Sequence, residues 1–220
     1  LLYNYTERKD ADSLIVYADK ALRLFPNQAN LHYLKGIAYM NKRELNSAVK
    51  SINRAIEMQP EENAPLLAEM YSSLGDVYNL LKQYNLSDSS YEKSLKLEPD
   101  NASVLNNYSY YLSVRGIRLE DAERMSKRSL DIRKNEPTFL DTYGWILYKR
   151  GKYEQAKEFI EKAVVANPEG ADGTLWEHLG DVYYKLNNTE KAVEYWKKAK
   201  ERGTDNEEID KKINERKLYE

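Results

Sequence analysis

The sequence predicts an all-α chain, an α-solenoid of antiparallel helix pairs, and three observations carry that expectation. Helix breakers are scarce, with 9 glycines and 6 prolines in 220 residues, and the prolines fall between periodic segments. Apolar residues recur near a helical period, as at Tyr153, Ala156, Ile160, Ala163 and Val164, while the alternation of a half-buried strand is nowhere sustained. The third observation is self-similarity. "GWILYKRGKYEQAKEFIEKAVVANP", from Gly144 to Pro168, returns as "GDVYYKLNNTEKAVEYWKKAKERG", from Gly180 to Gly203, with small and bulky residues kept and charged ones drifting.

The elements follow from that repeat. Gly36, Gly75, Ser109, Gly144 and Gly180 mark the first helix of successive units, at a period of about 34 residues with small insertions such as "EENAP" from Glu61 to Pro65. Each second helix carries a small residue of its own (Ala48, Ser87, Ala122, Ala156, Ala192) and another further along (Ala55, Ser94, Ser129, Ala163, Ala199). Two helices approach closely only where side chains are small, so these positions predict the helix crossings, with Ile160 or Trp196 filling the remaining space. Pro26, Pro60, Pro99 and Pro168 close their units, because proline cannot continue a helix. The third full unit departs from this scheme: Ser109 replaces glycine, "RGIRLED" lengthens the turn, and Pro137 opens the next helix.

A single pair cannot bury its own apolar face, so the units must stack. Residues 1–204 read as the solenoid, with a partial first repeat over 1–27 and then about five repeats. Residues 205–220 read as a capping helix with Ile209, Ile213 and Leu218 on one face. "LLYNYTERKD" reads as the tail of a first helix, which predicts further repeats upstream.

"LWEHLGDVY", with Trp176, Leu179, Gly180 and Tyr183, followed by Ala192, Trp196 and Ala199, resembles the tetratricopeptide-repeat (TPR) signature. The resemblance runs from Leu1 to Gly203 and implies a right-handed superhelix whose first helices line a concave groove. The C-terminal stretch beginning "LNNYSYYLSVRGIRLEDAERMSKRSL" is similar to the last repeats of Gram-negative envelope TPR proteins, several of them outer-membrane lipoproteins that act as adaptors. That similarity implies a bacterial adaptor in the periplasm or at the outer membrane, with the cytoplasm as the alternative.

Composition narrows the function. A net charge of -2 argues against a nucleic-acid partner, which calls for a basic surplus. No apolar run is long enough to span a bilayer, so no direct membrane insertion of this segment is expected. With no cysteine, disulfides, thiolate metal sites and cysteine nucleophiles are excluded. His32 and His178 fit no metal-ligand spacing and read as surface or packed histidines, and there is no phosphate loop or GxSxG. No catalytic residue, metal or cofactor is expected.

The expected function is therefore a non-catalytic scaffold or adaptor that holds a protein or peptide in its groove. By helical spacing, the residues facing it are Tyr33, Asp76, Asn106, Tyr110, Asp141, Trp145, Tyr148, Glu177, Asp181 and Tyr184. Trp145 and Tyr148 would anchor the partner and the carboxylates would select a polar or basic segment, although such aromatics also pack between repeats. Tyr33, Ile37, Ser72, Asp76, Asn106 and Tyr110 include no cation, which argues against a clamp for a terminal carboxylate. The alternative is a regulatory repeat domain of a longer enzyme or signalling protein. An RNA-binding helical repeat is opposed by the acidic groove.

Overall fold

Twelve helices, and no strand among the described residues, make up the computed structural model, which describes residues 10–60 and 63–219. Helix α1 (Ala11–Leu24) is followed by five pairs: α2 (Ala29–Asn41) with α3 (Leu45–Met58), α4 (Ala64–Leu80) with α5 (Tyr84–Leu97), α6 (Ala102–Val114) with α7 (Leu119–Ile132), α8 (Pro137–Lys149) with α9 (Tyr153–Ala166), and α10 (Gly173–Lys185) with α11 (Thr189–Glu201). A short α12 (Ile209–Glu215) completes the chain. The fold is the all-α helical-repeat solenoid that the periodicity predicts. Residues 1–8, read as the tail of a first helix, and Glu61 of the "EENAP" insertion lie outside the described residues.

Short turns reverse the chain within each pair, and a left-handed residue makes each reversal. Arg43, Lys82, Gly151 and Asn187 have φ of 62°, 58°, 76° and 61°. The amide of the next residue then donates back into the first helix, from Glu44 to Tyr39 O, Gln83 to Tyr78 O, Lys152 to Leu147 O and Asn188 to Tyr183 O, each at 2.9 Å. This satisfies carbonyls that the helix end would otherwise leave bare. In the lengthened turn Gly116 takes the left-handed position, with Ile117 N donating to Leu112 O at 3.1 Å, and Arg118 is left-handed as well.

The small residues lie where the helices press together. A Cβ on Gly144 would sit 2.5 Å from Ile160 Cγ1, and one on Gly180 would sit 2.5 Å from Trp196 Cδ1. On Gly36 it would meet Ile52, and on Gly75 the ring of Tyr91. The third unit shows the complement: Ser109 replaces glycine, and Ser126 stands where the others carry Ile52, Tyr91, Ile160 and Trp196, both serines being fully buried. Serines that replace alanine on α5 are paired. Ser87 Oγ donates to Gly75 O (2.9 Å) and Ser94 Oγ to Ala68 O (2.7 Å), so their burial leaves no orphaned hydroxyl.

The chain divides within α6 into two compact units, Leu1–Val104 and Leu105–Glu220. In the first, Tyr33, Ile52, Met70, Leu74 and Val77 form the core with Ala48 and Ala55. In the second, Leu140, Leu147, Ile160, Leu175, Leu179, Val182 and Trp196 do so, and Ile209 of α12 joins them. The cap is shorter than the sequence implies, because Arg216 turns left-handed (φ 53°) and ends α12 at Glu215. Ile213 and Leu218 still pack against the core, Leu218 from beyond the helix.

Candidate functional site

The first helices place the expected groove residues in two very different situations. In the first unit, Tyr33 is 8% exposed and belongs to the core. Its hydroxyl donates to Glu69 Oε1 (3.0 Å) and lies 2.8 Å from Ser73 Oγ, tying α2 to α4. Asp76 accepts a hydrogen bond from the Tyr91 hydroxyl of α5. Both therefore fasten neighbouring helices together.

In the second unit the carboxylates of α10 are closed off by the chain itself. Lys212 of α12 is 1% exposed and inserts between them, its Nζ 2.7 Å from Glu177 Oε1 and 2.8 and 3.0 Å from the two Asp181 oxygens. Thr204 Oγ1 (2.6 Å) and the Asn206 amide also donate to Glu177, and Trp196 Nε1 donates to Asp181 at 2.7 Å. Burial opposes the charge on Glu177, but these three donors outweigh it and hold its carboxyl below the usual range. Asp181 lies deeper, and burial pushes its carboxyl up despite Lys212. The expectation that Glu177 and Asp181 face a partner is corrected: a lysine on the same face of α12 as Ile209 and Ile213 satisfies them. The signal was present in the sequence, since Lys212 interrupts an apolar face and the two acids lie one helical turn apart on α10.

Asp141, Trp145 and Tyr148 on α8 form one assembly with His178 of α10. Asp141 accepts from His178 Nδ1 at 2.9 and 3.1 Å. The Trp145 indole is stacked between His178 (centroids 4.0 Å apart) and Tyr148 (4.8 Å), and Lys149 Nζ lies 5.3 Å from its centroid. Burial works against the protonated form of His178, yet the charge and hydrogen bond of Asp141, with Asp181 and Glu177 beyond, raise its pKa above the ordinary value. Tyr148 is 4% exposed and Trp145 is half-buried, so the two expected anchors are largely consumed by packing. Tyr184, half-buried, lies against Trp196 with centroids 5.7 Å apart.

What remains open is a cleft of about 290 Å³ walled by α6, α8 and the start of α10. Asn106 and Tyr110 line it from α6, Thr138, Asp141 and Thr142 from α8, and Asp172 from the N-cap of α10. Asp172 is fixed there because its Oδ1 accepts from Leu175 N (3.0 Å) and closes the helix start. Asn106 is 3% exposed, and its Oδ1 has no hydrogen-bond partner among the described residues. Burial raises the pKa of the Tyr110 hydroxyl, helped by Asp141, Asp172 and Glu177. Sequence spacing found Asn106, Tyr110 and Asp141, but Asp172 and Thr138 sit at helix starts, where the mid-helix register does not reach. No group of acidic and histidine side chains among the described residues could hold a metal ion.

Family models for the tetratricopeptide repeat match residues 29–62, 68–101 and 144–207. The chain is a tetratricopeptide-repeat protein. It is 29% identical over 168 residues to the TPR repeat-containing protein PA4667 of Pseudomonas aeruginosa, covering 74% of this TPR chain and 26% of that protein. It is 26% identical over 162 residues to the type IV pilus assembly protein PilF of the same organism, covering 73% of this chain and 62% of PilF. The TPR chain thus spans less than two thirds of either relative's length. Among solved structures, that of YrrB, a TPR protein with an unusual peptide-binding site, matches with a TM-score of 0.62 at 20% identity, over 87% of this chain and 95% of that one. These similarities place the chain among TPR proteins resembling Gram-negative ones. No helix among the described residues is long and apolar enough to cross a membrane.

Proposed function

We propose that this TPR chain is a non-catalytic adaptor that holds a segment of a partner protein along the first helices of its second unit. The observation that carries this reading is the cleft at Asn106, Tyr110 and Asp141. Its buried acceptor, Asn106 Oδ1, has no donor among the described residues, and an amide or side chain of a bound segment would supply one. The unusual peptide-binding site of YrrB supports a peptide as the ligand, and the likeness to PilF supports a place in a bacterial cell envelope. A regulatory repeat domain of a longer enzyme or signalling protein is the second reading, and the TPR stretch matched in PA4667 makes up 26% of that protein.

The test is selection of a random dodecapeptide library on the 220-residue chain. Thr138, exposed on the cleft wall, is replaced by arginine to fill the cleft, and Glu158, exposed on α9, is reversed to lysine as a control. Selected peptides should lose at least tenfold in affinity for Thr138→Arg and keep it for Glu158→Lys. Affinity that survives Thr138→Arg, or a selection yielding no binders, overturns the reading.

A further inference from the structure

The cleft is rich in acceptors, and no lysine or arginine is among the described residues that line it. Both Asp141 oxygens lie within hydrogen-bond distance of the single His178 Nδ1, and Asp172 spends one oxygen on its helix cap. Asn106 is 3% exposed, and its Oδ1 has no donor among the described residues. Leaving a buried acceptor unmade is costly, so the cleft favours an occupant that brings donors. A carboxylate-bearing occupant would meet two like charges and supply none of them.

The chain itself shows how such positions are satisfied. On α10 the two carboxylates, Glu177 and Asp181, take an ammonium inserted from a neighbouring segment, with the Trp196 ring 5.7 Å from Lys212 Nζ. The cleft at α6 and α8 also sets two carboxylates beside aromatic rings, with His178 on one side of Asp141 and no lysine or arginine among the described residues that line it. Tyr110 and Tyr111, with ring centroids 5.9 Å apart and tilted by 56°, line the cleft, and aromatic rings attract planar cations.

We infer that the cleft formed by Asn106, Tyr110, Asp141 and Asp172 is a subsite for an arginine side chain of the partner segment, an assignment that rests on the groove-binding reading above. A guanidinium carries several donors in one plane, so it can serve two carboxylates and the Asn106 oxygen together while its face lies on tyrosine. The partner is accordingly a polypeptide with an exposed basic residue.

The experiment titrates the isotopically labelled 220-residue chain with N-acetyl-argininamide and, separately, with its uncharged counterpart N-acetyl-citrullinamide, following amide NMR signals. Saturable shifts confined to Asn106, including its side-chain amide, and to Tyr110, Thr138 and Asp141 are expected with the arginine compound only. The double change Asp141→Asn with Asp172→Asn should weaken them at least tenfold. Both substitutions keep the shape and asparagine keeps the α10 cap, but Asp141→Asn removes the charge beside His178, so a thermal melt accompanies the titration to show that the variant is folded at the temperature used. The subsite is wrong if no saturable shift appears there, if citrulline matches arginine, or if the double variant binds equally well. Peptides that still depend on Thr138 when arginine fails would leave the groove reading standing without its cationic preference, whereas peptides indifferent to Thr138→Arg would remove the groove itself.

Discussion

At the scale of single residues, the decisive feature is a lysine that is more buried than most of the leucines. Lys212 can be there only because Glu177 and Asp181 bracket it, and they in turn tolerate burial only because of it. Lys212→Met should therefore destabilise the second unit by about 3–5 kcal/mol, because two buried carboxylates lose their counter-ion. Burial pushes an uncompensated carboxyl up, so the deficit should shrink as pH falls and protons replace the lysine. Melting curves from pH 4 to 8 check this, and a deficit that widens with acid counts against it. His178 gives a second pH dependence. Its folded pKa is raised above the ordinary 6.5, so the stability owed to its imidazolium is fully present below 6.5 and is lost as pH rises through the raised value. The melting temperature of wild type minus that of His178→Asn should fall across that window. A flat difference would mean the Asp141 hydrogen bond matters only in its neutral form.

At the scale of the element, the turns within pairs carry removable strain. Lys82 is exposed and left-handed at φ 58°, where a side chain costs roughly 1 kcal/mol and glycine does not. Lys82→Gly should stabilise by about 0.5 kcal/mol after the added freedom of the unfolded glycine is subtracted. Gly151→Ala should destabilise by about 1 kcal/mol, although nothing lies within 4 Å of the added methyl, because the penalty is backbone only. Urea titrations of both variants test the pair, and effects of the same sign would refute the account. Gly173 acts differently: an added Cβ would lie 2.2 Å from Thr204 N, so here glycine lets one backbone touch another.

At the scale of the whole molecule, a repeat array transmits stability between neighbours. Deleting residues 205–220 removes Ile209 and Lys212 together, opening α10 and α11 while returning Glu177 and Asp181 to water. Hydrogen exchange should then accelerate in α10 and α11 and stay nearly unchanged in α2–α5. Uniform acceleration would show a single cooperative block instead. The double change Trp145→Ala with Tyr148→Ala, which treats these rings as pure ligand anchors, should lower stability as well as affinity, because both rings pack internally.

The sequence by itself determined the helices, their pairing and their crossings. Those depend on local period and on small residues recurring at fixed offsets, and every repeat restates them, as Gly144 with Ile160 and Gly180 with Trp196 show. It also placed Asn106, Tyr110 and Asp141 on first-helix faces that the structure brings to one cleft. Tertiary structure alone decided which of those residues were already spent. Whether Glu177 is open depends on where α12 comes to rest, whether Trp145 is an anchor depends on His178 one repeat away, and Asp172 joins the cleft only because a helix begins there. Such outcomes turn on pairings between distant residues, and a pattern of near neighbours does not contain them.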